Sequence, residues 1–152
     1  MRKSTSGFTI VELILVIIVI AILAAITLIG FNGIRDRAAE AQKAAIAETV
    51  QKSLENFFTL NDRYPGSGSL SSEANLQLLG LHQTDVVPAG CPSYNGIQAG
   101  WPDASTCYFT YLATTNPDGS GFQCNDPTIC RSCYLSYWST TQNKTITIRG
   151  GR

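Results

Sequence analysis

The chain has 152 residues, eleven Lys and Arg against eleven Asp and Glu, and only 14% charged residues, well under the roughly 25% of an average soluble domain. That length holds one compact head and an appendage rather than a multidomain enzyme, and the balanced charge excludes a strongly basic nucleic-acid binder. The apolar share of 44% conceals two unlike halves: Leu13 to Ile26 is an unbroken apolar run of fourteen residues, whereas the last hundred positions are rich in Ser, Thr, Gly, Asn and Tyr.

Arg2 and Lys3 open the chain, Ser4 to Gly7 follow, and an apolar stretch then runs from Phe8 to Phe31, interrupted by Thr9, Glu12, Thr27 and Gly30. Its twenty-four residues make a helix of roughly 36 Å at about 1.5 Å per residue, enough to cross a hydrocarbon core of about 30 Å. The basic prefix holds its start on the cytoplasmic side. A cleaved secretory peptide has a shorter apolar region and a small-x-small site, and Ala21-Ile22-Leu23-Ala24-Ala25 supplies no clean one. Glu12 is the anomaly, because a carboxylate inside a membrane segment costs roughly 2.5–3.5 kcal/mol near its centre and less toward an end. A cut between Gly7 and Phe8 would create an α-ammonium four residues from Glu12 on the same helix face. The alternative role is an acid complementing the helix dipole.

The stretch Gly7-Phe8-Thr9-Ile10-Val11-Glu12-Leu13, behind a basic leader and ahead of an apolar run, resembles the N-terminal signature of type IV pilins and type II secretion pseudopilins. The resemblance implies that a prepilin peptidase cuts after Gly7 and that Phe8 is then N-methylated. It further implies that Glu12 pairs with the Phe8 amine of an adjacent subunit as the chain polymerises into a helical homopolymer. The helpers it implies are an assembly ATPase and an inner-membrane platform protein. The subunit is expected to span the cytoplasmic membrane once, N-terminus inside, before joining an extracellular pilus. Many major pilins carry a helix-disrupting Pro late in the apolar segment; here the first is Pro65, leaving Gly30 and Gly33 as weak points.

From Asn32 the pattern turns amphipathic. Ile34, Ala38, Ala41, Ala45, Val50, Leu54, Phe57 and Phe58 recur mostly at steps of three or four, a helical stripe with one buried face. Arg35, Asp36, Arg37, Glu40, Lys43, Glu48, Lys52 and Glu55 lie between them. Ala38 to Ala47 has high helix propensity and small side chains, and Asn61-Asp62-Arg63-Tyr64-Pro65-Gly66 stops the helix. The Phe57-Phe58 pair and Asp62-Arg63-Tyr64-Pro65 resemble the end of the first helix in pseudopilins and many pilins. The expected organisation is a leader at 1–7, a long helix at 8–60 with a membrane or filament-core part at 8–31 and an amphipathic part at 32–60, and a head at 61–152.

In the head, Ser72 to Gly80 reads as a short capped helix. Cys107 to Ala113, Cys133 to Ser139 and Lys144 to Arg149 read as strands, with a turn cluster at Asn116 to Gly121. The expected fold class is therefore α+β and pilin-like, with the long helix packed on a small antiparallel sheet.

Cys91, Cys107, Cys124, Cys130 and Cys133 all follow the membrane segment, in the half that export would oxidise. Five choices of odd cysteine times three pairings leave fifteen arrangements, and sequence does not choose among them. The expectation taken forward is Cys91 with Cys107 and Cys124 with Cys133, the second clamping two arms of a hairpin. A zinc site from Cys124, Cys130 and Cys133 is the alternative, but structural sites usually show two close pairs.

No catalytic, cofactor-binding or metal constellation emerges. His82 has no nearby Cys or acidic cluster in sequence; Trp101, Tyr108, Phe109, Tyr111, Tyr134, Tyr137 and Trp138 fit sheet packing; Asn143-Lys144-Thr145 matches a glycosylation sequon. Without residues 1–7 the chain holds nine bases against eleven acids, so strong direct nucleic-acid binding is not expected. The function expected is a structural filament subunit. A pseudopilin of a type II secretion or competence system, and a membrane-anchored binding module that never polymerises, are the alternatives.

Overall fold

The computed structural model describes residues 8–88, 91, 97–103, 106–126 and 128–151, with backbone only for 28–32. Helix α1 runs Ile10–Asn61. The described residues fall into two compact units, one ending at Arg37 and the other starting at Ala38.

In the first unit, every large apolar side chain from Ile10 to Ile26 is exposed. The window Ile10–Thr27 has a mean hydropathy of 3.2, long and apolar enough to cross a bilayer.

In the second unit, α1 ends where Asp62 takes a left-handed conformation, φ 54°, and its N–H donates to the Phe58 carbonyl at 2.7 Å. This is the helix-terminating geometry that glycine, asparagine or aspartate supplies most cheaply. A 3-10 turn at Ser69–Ser71 follows, then α2 at Glu73–Gln77 and α3 at Gln83–Val86. The helix expected over Ser72 to Gly80 is shorter than its sequence pattern because the chain turns through Leu78 and Leu79 to Gly80, whose φ is +70°.

Four strands form one sheet in chain order: β1 Gln98–Ala99, β2 Thr110–Thr114, β3 Ser132–Ser139 and β4 Lys144–Gly150. The β2–β3 and β3–β4 pairs are antiparallel. The sheet is mixed rather than purely antiparallel, because β1 pairs with β2 in parallel, Gln98 opposite Thr110. A two-residue strand carries almost no alternation, which hides it from sequence patterning.

Alternate residues of β3, Cys133, Leu135 and Tyr137, are buried together with Tyr111 and Ala113 of β2, and the same core takes Ala47, Val50 and Leu54 of α1. Steps of three and four on the helix meet steps of two on the strands, so one stripe covers one sheet face. The exit from α1 is bound into this core. Tyr64 is fully buried and stacks on Phe58 with ring centroids 4.7 Å apart, and its hydroxyl donates to Glu55 Oε1 at 3.1 Å. The Tyr111 hydroxyl donates to the Pro65 carbonyl at 2.9 Å, while Ser67 Oγ accepts from the Ala113 N–H at 2.9 Å. A Cβ on Gly66 would stand 2.5 Å from the Asn125 carbonyl oxygen, so only glycine lets these two backbone segments approach so closely.

Leu54→Ala in the full-length, detergent-solubilised chain is expected to destabilise the head by about 2–5 kcal/mol, measured by thermal unfolding followed through near-UV circular dichroism. Leu60 on the same helix is 76% exposed, and its replacement by Ala is expected to change stability by less than about 0.5 kcal/mol. Equal effects at the two positions would contradict the packing described.

Candidate functional site

The start of α1 is built by its own sequence. The Thr9 carbonyl accepts the Leu13 N–H at 3.3 Å as the first helical hydrogen bond, which makes Thr9 the capping residue and Glu12 the third helical position. Thr9 Oγ1 accepts the Glu12 N–H at 3.3 Å, and Glu12 Oε2 accepts the Thr9 N–H at 2.9 Å and the Thr9 hydroxyl at 2.8 Å. This reciprocal arrangement is a capping box. The signal for it is the Thr-x-x-Glu spacing itself, which reading Glu12 only as a charge overlooked.

Both hydrogen bonds fall on one carboxylate oxygen. Glu12 Oε1 accepts none among the described residues, and a carboxylate has about four acceptor positions in all. The cap therefore orients Glu12 without consuming it: an ammonium group can still bind the open oxygen. Phe8, immediately before the cap, is 84% exposed. Gly7 lies outside the described residues. The capping box thus serves the helix-terminus role, and its unused oxygen leaves the pairing role chemically open.

The head places the remaining singled-out residues. Cys91 is bonded to Cys107 and Cys124 to Cys130, with Cα atoms 5.7 Å and 5.8 Å apart respectively. The expected Cys124–Cys133 bridge is therefore corrected. Cys133 lies inside β3, opposite Ala113 and Gly150, and the pleat turns its side chain into the core with Leu135 and Tyr137. Cys130 precedes the strand, is free of that alternation, and meets Cys124 across the loop. Two of the three thiolates in the zinc alternative are consumed by this bridge. Burial pushes the Cys133 thiol up to about 12, with the Glu55 charge acting in the same direction. Burial also raises the Tyr111 phenol. A thiol held protonated in this way is a packing group rather than a nucleophile.

His82 is exposed, caps α3 and lies 3.0 Å from Glu73 Oε1 through Nδ1. Its hydrogen bond, with a second from the Gln83 N–H, holds the Glu73 carboxyl below the usual carboxylate range. Phe109, Tyr111 and Tyr137 are buried in the core, whereas Trp101 is 60% exposed with its ring centroid 6.1 Å from that of Tyr134. Asn143 is exposed at the β3–β4 turn with φ 51°. The Thr145 hydroxyl of the same sequon donates to the Pro102 carbonyl at 3.1 Å.

Residues 2–28 match the family model of the prokaryotic N-terminal methylation motif. This motif is the class III signal peptide of type IV pilins and pseudopilins, and here it leads into an apolar helix. No curated protein and no solved structure matches the chain. The motif supports a pilin-like or pseudopilin-like precursor, and the α+β head with its long N-terminal helix agrees with a pilin-like fold.

Iodoacetamide added to the folded chain is expected to label no cysteine, and added after denaturation without reductant to label Cys133 alone. Peptide mass mapping under non-reducing conditions then yields Cys91–Cys107 and Cys124–Cys130 cross-links. A Cys124–Cys133 cross-link, or rapid native labelling of Cys133, would contradict the buried-thiol assignment.

Proposed function

We propose that the chain is a structural pilin subunit, cut by a prepilin peptidase between Gly7 and Phe8, methylated on the Phe8 amine, and polymerised into a type IV pilus through its N-terminal helix. Before assembly the apolar segment anchors the chain in the cytoplasmic membrane with the leader inside. Afterwards it lies among copies of itself in an extracellular filament. A peptidase acts on Gly7–Phe8, and an assembly ATPase and platform protein act on the processed subunit. The chain itself has a structural rather than an enzymatic part in this scheme.

The observation that carries the proposal is the placement of Glu12: an acid at the head of an exposed apolar helix, oriented by Thr9 through one oxygen, while the other accepts no hydrogen bond among the described residues. Cleavage after Gly7 supplies the missing cation on Phe8. Charge-assisted hydrogen bonds of this kind are shorter and stronger than neutral ones, and water is scarce at a helix–helix contact in lipid. Apolar matching adds little drive there because lipid tails are as apolar as leucine. Register is then set by the charge pair and by close approach at small residues. The capping box alone would account for Glu12 in a non-polymerising anchored module, but such a module gives no account of the N-terminal methylation motif around it.

The intact mass and N-terminal sequence of the chain recovered from its cells are expected to show a start at N-methylated Phe8. Glu12→Ala is expected to leave processing and membrane insertion intact. Loss of a charge-assisted hydrogen bond worth about 1.5–3 kcal/mol weakens subunit association by about 10- to 150-fold, seen as loss of filaments by electron microscopy. Filaments of normal number and form from Glu12→Ala would refute the pairing, and a mature chain starting at Met1 would refute the class.

A further inference from the structure

Glu40 presents a second charge that no ion pair among the described residues neutralises. The residue is half-buried on α1, and its Oε2 is shut off from solvent without a hydrogen-bond partner among the described residues. Lys43, one turn onward and only 9% exposed, directs its ammonium to the Trp138 carbonyl at 2.9 Å instead. The Glu40 charge is felt by the sheet, where it adds to burial in raising the Tyr137 phenol. A half-desolvated carboxylate without a donor is unfavourable; with Oε2 closed to solvent, a partner from outside can offset the charge only through the other oxygen. The matching charge is present on the same helix: Arg35 and Arg37 are exposed and enter no ion pair among the described residues.

We propose that Glu40 of one copy receives a guanidinium group from the Arg35–Arg37 segment of an adjacent copy, whichever of the two arginines faces it, a second charge contact between subunits. This rests on the filament reading above. In a polymer of identical subunits related by one helical operation, the axial displacement between two given neighbours is the same for every atom. Bringing Glu12 of one copy level with Phe8 of another requires a shift of four residues, about 6 Å at 1.5 Å per residue. Where α1 runs along the filament axis at both places, the same displacement carries Glu40 level with position 36 of that neighbour, between its Arg35 and Arg37. Asp36 is also there, but one short carboxylate stands against two long guanidinium side chains, and the segment is net positive. The planar guanidinium fork is the group best suited to a partly desolvated carboxylate. The two contacts thus read one register, the first at the cleaved terminus and the second near the start of the head.

The test is filament yield from full-length chains expressed in a host with an intact assembly system, with intact mass recorded for each variant. Glu40→Arg is expected to be processed at Gly7–Phe8 and to keep both disulfides, while filament yield falls by at least about tenfold, the effect of about 1.4 kcal/mol. Adding Arg35→Glu and Arg37→Glu to that variant is expected to restore the yield to within about threefold of wild type, under 1 kcal/mol. Wild-type yield from Glu40→Arg overturns the contact, and so does a processed charge-swapped chain that stays defective. A wild-type chain that is itself processed but never forms filaments removes the parent reading and this contact together, which separates the two failures. Should Glu40→Arg fail to accumulate, Glu40→Gln replaces it and dissociation of filaments is followed against salt. Wild-type filaments are expected to loosen as salt screens the pair, and an identical salt response from Glu40→Gln overturns the proposal.

Discussion

An ionised carboxylate at the mouth of a long apolar helix is the constraint from which the first half of this molecule follows. Glu12 belongs in water or beside a cation, whereas the eighteen residues of Ile10–Thr27 belong in lipid or against other apolar helices. Thr9 resolves the conflict locally by supplying two donors to one oxygen and receiving a backbone donor in return. That solution satisfies the helix start and keeps one carboxylate oxygen available. The same side chain can therefore stabilise a monomer and still recognise a partner, because hydrogen-bond capacity, unlike formal charge, is divisible.

The second half of α1 obeys a different constraint. Its buried stripe at Ala47, Val50 and Leu54 is narrow and made of small or medium side chains, and the sheet offers Tyr111, Ala113, Leu135 and Tyr137 to fill the space beside it. The junction at the helix exit is polar as well as apolar. Glu55, Tyr64, Tyr111 and Cys133 come together where α1 ends and β3 begins, and Gly150 has no room for a side chain there, a Cβ falling 2.8 Å from Cys133 Sγ and 3.0 Å from Glu55 Oε1. Cys133 is left unpaired within this group because its place in β3 turns it beside Gly150 and Glu55, while the equally buried Cys124 and Cys130 meet each other across the loop. Covalent support comes instead from Cys124–Cys130, which closes the loop whose carbonyls accept the N–H groups of Tyr64 at 3.0 Å and Ser67 at 2.9 Å.

The two halves share one helix and divide its labour by composition. Uniformly apolar positions that stay exposed in a single copy suit lipid or another apolar surface. Amphipathic positions bury one face within the chain and leave the other for charge. Glu48 and Lys52 neutralise one another at 2.8 Å on that outer face, a pairing that the four-residue helical spacing supplies without help from the rest of the fold. Glu40 lacks such a neighbour four residues on, at Ala44, so its charge is left for another solution.

Local features were legible because they depend on spacing along one chain: the apolar span, the amphipathic stripe, the stop at Asn61 to Gly66, and strands β3 and β4. The N-terminal motif is of the same kind, since it is one continuous run of residues, 2–28. The parallel pairing of β1 was not legible, because two residues have no period. Nor was the Thr9–Glu12 cap recognised, although its spacing stood in plain view. The partner of Cys124 was decided only in three dimensions. Sequence counts thiols but does not say which one a strand's pleat turns inward, and that orientation placed Cys133 in the core while leaving Cys130 within reach of Cys124.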